Sequence, residues 1–407
     1  MSPAAIDPRI KILYLVAVAA LAFASSAPAP LLLLLGLQIV LWLGTGLGPR
    51  ALAASVRRLL FFIVFIVLSY ALFGAAEGDR IHELAFAGIE LPINLTGIGI
   101  GLLRSSRIVT IILASQIVQR SGEGKALVEG LRALRAPDFL AYGLDLVLDT
   151  LGPRRGGGGR GRRRKQERRQ EEEDGDSGFG FRRLLRGDTS ALSELVQRRL
   201  AETQTRAADF GLAADVQRDL VAVGGLAVVA MSLRFLKLMP GLPIAPGHKG
   251  IVLIPLYICA HTLTAARFGA TRFGLVVGVM GFLTGMGKFG PFDILRHAAP
   301  GLFVDLVMPL AVRISHKPNV LVYGLVGVGA AAMRVASLVV AALVVEAPAA
   351  FYALLLPMTI AQMTFGMLSG FVTVPLLLTA DRLLPPAADR GAAASAAPLP
   401  QRADGPS

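Results

Sequence analysis

The chain has 407 residues, of which 54% are hydrophobic and only 17% charged, and its net charge is +13. Runs such as PLLLLLGLQIVLWLGTGL and RRLLFFIVFIVLSYALFGAA reach the roughly 20 apolar residues that cross a bilayer. They mark a polytopic membrane protein, so the basic excess is read as cytoplasmic loop charge and not as a nucleic-acid footprint. The single cysteine, Cys259, lies in an apolar run and excludes intrachain disulfides and thiolate metal clusters.

In chain order, MSPAAIDPRIKILYL places an acid and two bases before the first span and offers no small-residue cleavage site. An uncleaved first helix is therefore expected rather than a signal peptide. Spans are predicted near Ile10 to Ala27, Leu31 to Leu47, Leu59 to Ala75 and Leu95 to Val118. Arg50, Arg57 and Arg58 follow span two, and Arg120, Lys125, Arg132 and Arg135 follow span four, whereas the loop from Glu77 to Glu83 is acidic. The N-terminus is thus expected in the cytoplasm.

The next hundred or so residues carry no clean span. GEGKALVEGLRALRAPDFLAYGLDLVLDTLG and SALSELVQRRLAETQTRAADFG alternate apolar and charged residues at helical spacing, as amphipathic helices on a membrane or partner do. Surface helices or a docking platform both fit. Between them, PRRGGGGRGRRRKQERRQEEEDGDSGFGFRR cannot bury a core and reads as a disordered basic-then-acidic cytoplasmic linker. Six further spans are predicted near Asp219 to Leu238, Gly250 to Ala266, Phe273 to Met286, Phe292 to Val312, Val320 to Val345 and Phe351 to Thr379. They put Arg267, Arg272, RISHK, Asp381 and Arg382 inside, so both termini are cytoplasmic. The Ala/Pro-rich tail reads as disorder.

The fold class expected is an all-α integral membrane protein, with about ten transmembrane helices plus two cytoplasmic helices. No G-x-x-x-x-G-K-S/T phosphate cradle occurs, so the chain does not hydrolyse ATP by itself. Its five histidines form no H-E-x-x-H or i, i+4 pair, and there is no G-x-S-x-G.

DPRIKIL, the Arg-bearing fourth span GIGIGLLRSSRIVTIILASQIVQRSGEGKALVEGLRAL and AETQTRAADFG together resemble the transmembrane T component of energy-coupling factor (ECF) transporters. In that family an Ala-Arg-Gly motif ends each of two coupling helices and seats it in a groove of an ABC ATPase. Thr205, Arg206 and Ala207 match that motif, followed by Asp209 and Phe210; the arginine is kept and the alanine and glycine are not. Arg135 is a second candidate by position. FLKLMPGLPIAPGHKG, RFGATRFGLVVGVMGFLTG and GPFDILRHAAPGLFVDL resemble an S component, the substrate-capture subunit. The resemblance implies a T-like scaffold with the first coupling helix over residues 1–152, a linker over 153–188, a second coupling helix over 189–214, a six-helix capture domain over 215–385 and a tail over 386–407. It implies an ABC ATPase pair and a small-molecule substrate as partners within the inner-membrane bilayer. ATP and Mg belong to those ATPases, and this chain is expected to carry no cofactor. A cobalt or nickel capture subunit would open on Met-x-His, which is not present.

GPFDILRHAAPGLFVDLVMPL carries charges at membrane depth, where each costs roughly 2.5 to 3.5 kcal/mol on insertion scales. Asp293, Arg296 and His297 fall in the first two turns at the external face, and Arg334 on the next span is expected at a similar height. Two guanidiniums and an imidazole suit a carboxylate or phosphate, with Asp293 orienting Arg296 or His297. His248 and Lys249 are placed to close over a ligand. Phe292, Tyr352, Thr359, Gln362 and Met363 are cavity-lining candidates, although core packing suits each singly. The structural alternative pairs Asp305 with a snorkelling Arg334. The function expected is capture of a small organic micronutrient for ATP-driven import. The rivals are an uncoupled permease or channel, and a membrane enzyme using Asp293 and His297 as acid and base.

Overall fold

The computed structural model describes residues 6–25, 27–73, 81–86, 89–120, 124–151, 190–208, 213–235, 247–284, 290–315, 317–347 and 349–381. The first half holds α1 Pro8–Ala24, α2 Pro28–Gly44, α3 Pro49–Phe73, strands β1 Ile81–Phe86 and β2 Ile89–Asn94, then α4 Leu95–Arg120, α5 Gly124–Ala133 and α6 Asp138–Leu151. The second half holds α7 Ser190–Ala208, α8 Ala214–Phe235, α9 Gly250–Leu263, α10 Gly269–Leu283, α11 Phe292–Ile314, α12 Val320–Val344 and α13 Ala349–Asp381. Helices thus occupy every stretch expected to span. Among the described residues α4, α8, α11, α12 and α13 are long and apolar enough to cross a bilayer by length and composition. The linker, the tail, Asp209 and Phe210 lie outside the described residues.

Local chemistry sets the boundaries. Proline opens α1, α2 and α3 at positions 8, 28 and 49, where a missing N–H is harmless. Asp7 Oδ1 accepts from Arg9 N at 2.8 Å, and Asn319 Oδ1 accepts from Leu321 N at 2.8 Å to start α12, as N-caps do. The stretch read as one amphipathic helix from Gly122 breaks into α5 and α6. Ala136 stands before Pro137, which disfavours helical backbone there. Arg135 adopts a φ of 58° and Ala136 N donates to Leu131 O at 2.9 Å, closing α5. The acidic loop gains an unforeseen antiparallel hairpin, β1–β2, with Ile81 opposite Asn94 and Phe86 opposite Ile89.

Bilayer lipid gives helices little hydrophobic reason to associate, so small residues let backbones approach. A Cβ on Gly274 would collide with the carbonyl of His297, and one on Gly278 would stand 2.7 Å from Ile294 Cα, which locks α10 to α11. Gly327 and Gly366 face each other across α12 and α13, and Gly101 abuts Val67 across α3 and α4.

Two helices are too short to cross alone. At 1.5 Å per residue, the 14 residues of α9 and 15 of α10 extend about 21 to 22 Å, against a hydrocarbon core of about 30 Å. Their turn, residues 264–268, needs its amides satisfied. Asp219 of α8 accepts from Ala265 N at 2.6 Å and Ala266 N at 2.9 Å. Asp305 of α11 accepts from Ala270 N at 3.1 Å, Thr271 N at 2.7 Å and the Thr271 hydroxyl at 2.6 Å. His261 Nδ1 stands 2.7 Å from the same carboxylate. Asp305 is therefore the cap of α10, where the helix dipole favours an anion, and it is satisfied without the Arg334 partner considered above.

The two halves share one apolar core. Helices α6 and α7, from the two stretches read as amphipathic, bury one face each: Ala141, Leu144, Leu146 and Val147 on α6, and Leu192, Val196, Leu200 and Ala207 on α7. Gly143 of α6 sits against Val276 of α10, Gly224 of α8 against Leu146, and Gly225 of α8 against Leu200. The bundle thus has a hairpin end, with β1–β2 and the starts of α9 and α11, and an arm end carrying α5 to α7.

Candidate capture and coupling sites

At the hairpin end, α11 begins with the charged turn singled out in the sequence. Asp293 is fully buried and His297 is 3% exposed. The Tyr257 hydroxyl of α9 lies 3.0 Å from His297 Nδ1, and the Tyr257 ring packs edge-on against Phe273 of α10. Arg296 Nη1 is 4.0 Å from Asp293 Oδ1. Three helices therefore hold an imidazole, a carboxylate, a guanidinium and a phenol in about one and a half turns of α11.

A second group borders it. Gly247, at φ 100°, brings the chain against Gln362 of α13 so closely that a Cβ there would collide with the Gln362 side chain. The buried His248 ring then meets Phe365 edge-on at 6.5 Å. Lys249 is exposed at the mouth of α9. Arg334 is half-buried on α12. Gly329 of α12 faces the Phe303 ring of α11, so five residues further along the antiparallel pair Arg334 stands level with about Ala298. Phe292, a candidate lining residue, turns instead toward the first half, where its ring meets Phe23 at 5.1 Å. The Thr359 hydroxyl donates to Leu355 O at 2.6 Å within its own helix, and Tyr352 and Met363 are half-buried on α13.

At the arm end, Arg206 Nη1 pairs with Asp149 Oδ2 of α6 at 2.6 Å, leaving the guanidinium side chain 20% exposed. Thr205 is exposed and its hydroxyl donates back to Ala201 O at 3.0 Å. Ala207 is fully buried, so only Thr205 and Arg206 of the predicted trio present a surface. Arg135 is exposed at the α5–α6 corner. Arg132 lies 4.5 Å over the Tyr142 ring and 3.5 Å from Asp145, which stiffens that corner.

Sequence reasoning missed Tyr257 and Asp149. A phenol in an otherwise apolar span requires a buried partner for its hydroxyl, and an acid near the end of one amphipathic helix is a natural mate for an arginine on the other. Both signals were present, but the pairings across 40 and 57 residues need the fold.

The apolar helices, five of them long enough to cross a bilayer, define a multi-pass membrane protein. Residues 2–150, which span α1 to α6, are similar to the family CbiQ, described as cobalt transport protein. No curated protein and no solved structure matches the chain.

Proposed function

We propose that the chain is a T-like scaffold joined to an S-like capture domain, working as the membrane subunit of an ECF-type importer for a small organic anion. Separately encoded ABC ATPases, with which the T-component family works, supply the energy. The observation that carries this reading is a continuous line of close-packed helices. Gly143 of α6 bears on Val276 of α10, and on α10 Gly274 and Gly278 bear on the backbone of His297, Asp293 and Ile294. A displacement of the coupling arm therefore presses directly on the turn that would hold the ligand. Interiors packed this tightly transmit strain instead of absorbing it.

The capture chemistry follows from the donors. Arg296 and Arg334 offer planar forks for a carboxylate or phosphate, His297 and Tyr257 add hydrogen-bonding groups, and Asp293 fixes Arg296. The cobalt in the family's description is not extended to this half, because guanidiniums beside the carboxylate oppose a divalent cation. The ligand binds from the hairpin end, and ATP-driven movement of α5 to α7 opens the site toward the arm end. Covalent linkage keeps the capture domain at high effective concentration beside its scaffold.

Co-purification with the ABC ATPases of the same cell tests the reading. Wild type retains an ATPase pair, and Arg206→Glu, which sets a carboxylate against Asp149, loses it while the membrane domain stays monodisperse. Recovery of no ATPase with the wild type would leave an uncoupled permease as the better account.

A further inference from the structure

Where the two halves meet near the hairpin end, α1, α3 and α4 form with α11, α12 and α13 a partly open pocket. Its walls are apolar: Phe23, Phe65, Phe292, Leu338, Ala342 and Phe351 among them. Phe65 is 39% exposed, so the cavity communicates with the surroundings of the bundle, which for a spanning helix is lipid.

A charged cluster borders this cavity. Arg104 of α4 is among the residues lining it and pairs with Glu346, whose backbone carbonyl also accepts from the Tyr70 hydroxyl. Glu346 holds a φ of 52° just past the end of α12, a conformation strained for a non-glycine residue that here delivers its carboxylate to the first half. One turn along α4, Arg107 is 4% exposed, and its Nη2 donates to Ser25 O at 2.6 Å. Among the described residues neither Arg104 Nε nor Arg107 Nε finds a hydrogen-bond partner. Among the described residues the cluster sets two guanidiniums against one carboxylate, and that carboxylate's side chain is 72% exposed. Excess positive charge beside an apolar cavity at membrane depth is costly, and an anion offsets it.

We propose that this cavity binds an anionic phospholipid of the surrounding bilayer, with an acyl chain against Phe23, Phe292 and Leu338 and the phosphate drawn to Arg104 and Arg107. The phosphate matches the guanidinium fork, and the hydroxyls of Ser69 and Tyr70 are already committed to Phe65 O and Glu346 O, which leaves the arginines as the donors. Because the walls come from both halves, the lipid acts as a seal between scaffold and capture domain. This site is distinct from the Asp293–His297 cluster: Phe292 faces it, while Asp293 and His297 lie against α9 and α10.

The full-length chain, purified from its membrane and delipidated mildly, is examined by native mass spectrometry with lipid identification. Wild type is expected to retain anionic phospholipid, Arg104→Gln with Arg107→Gln to retain roughly tenfold less, as loss of charge-assisted bonds implies, and Ala342→Phe, which fills the cavity, to retain roughly tenfold less as well. Equal retention in all three, or no lipid in the wild type, overturns the proposal. Retention of a small amphiphile that is no bilayer lipid also overturns it and assigns the cavity to transported substrate. Should either variant fail to fold, a photoactivatable acyl-chain phospholipid applied to the wild type decides: labelling of α12 around Leu338 and Ala342 supports the site, and labelling confined to other helices rejects it.

Discussion

The start and the middle of α11 each bury an aspartate, and they meet the cost of that charge differently. Asp305 is held by two backbone amides, a hydroxyl and an imidazole, four groups that converge because α10 begins there. Asp293, twelve residues earlier, lies beside the flexible guanidinium of Arg296 at 4.0 Å, among side chains that can turn toward something else. Backbone donors in a helix terminus cannot be redirected, whereas an arginine can exchange a carboxylate for a ligand. The difference separates an acid that builds the fold from the one assigned to the proposed capture site.

Substitutions at the two positions sharpen this contrast. The largest effect is expected for Asp305→Ala, which strands two amides and the start of α10: a loss of about 3 kcal/mol or more of stability, seen as a collapse of monodisperse yield and of the thermal midpoint in detergent. At the start of α11, Asp293→Asn with Arg296→Gln should weaken binding of the anion proposed as ligand by about a hundredfold, near 2.7 kcal/mol, in isothermal titration. Its thermal midpoint should fall far less than that of Asp305→Ala; a comparable fall would make both acids structural. Gly274→Ala comes next. The new methyl group collides with the His297 carbonyl, and parting α10 from α11 costs about 1 to 3 kcal/mol, read as a lower thermal midpoint together with weaker binding. The smallest effect belongs to His261→Gln. Its side chain is 25% exposed and the backbone donors to Asp305 remain, so about 1 kcal/mol or less is expected; a larger loss would mean that the imidazole, not the helix end, holds that acid.

The helices were legible because a run of apolar residues has few alternatives in a bilayer, and because Pro8, Pro28 and Pro49 announce helix starts. The glycines of RFGATRFGLVVG marked a close packing face without naming its mate, since small residues encode proximity and not identity. The charged turn at Asp293, Arg296 and His297 stood out for its cost alone. What remained hidden depended on long-range placement. The role of Asp305 follows from a turn 34 residues away, and the Arg206–Asp149 pair from two helices that bracket an undescribed linker. The hairpin β1–β2 escaped notice because IHELAF and IELPIN are short and sit in a loop already explained by its acidity.

The short hairpin of α9 and α10 has an electrical consequence. The two helices themselves fill only about 21 Å, less than the hydrocarbon core of about 30 Å. Where water reaches their ends, a membrane voltage falls over a shorter distance and produces a steeper field, in which a charge moved through the same displacement does more work.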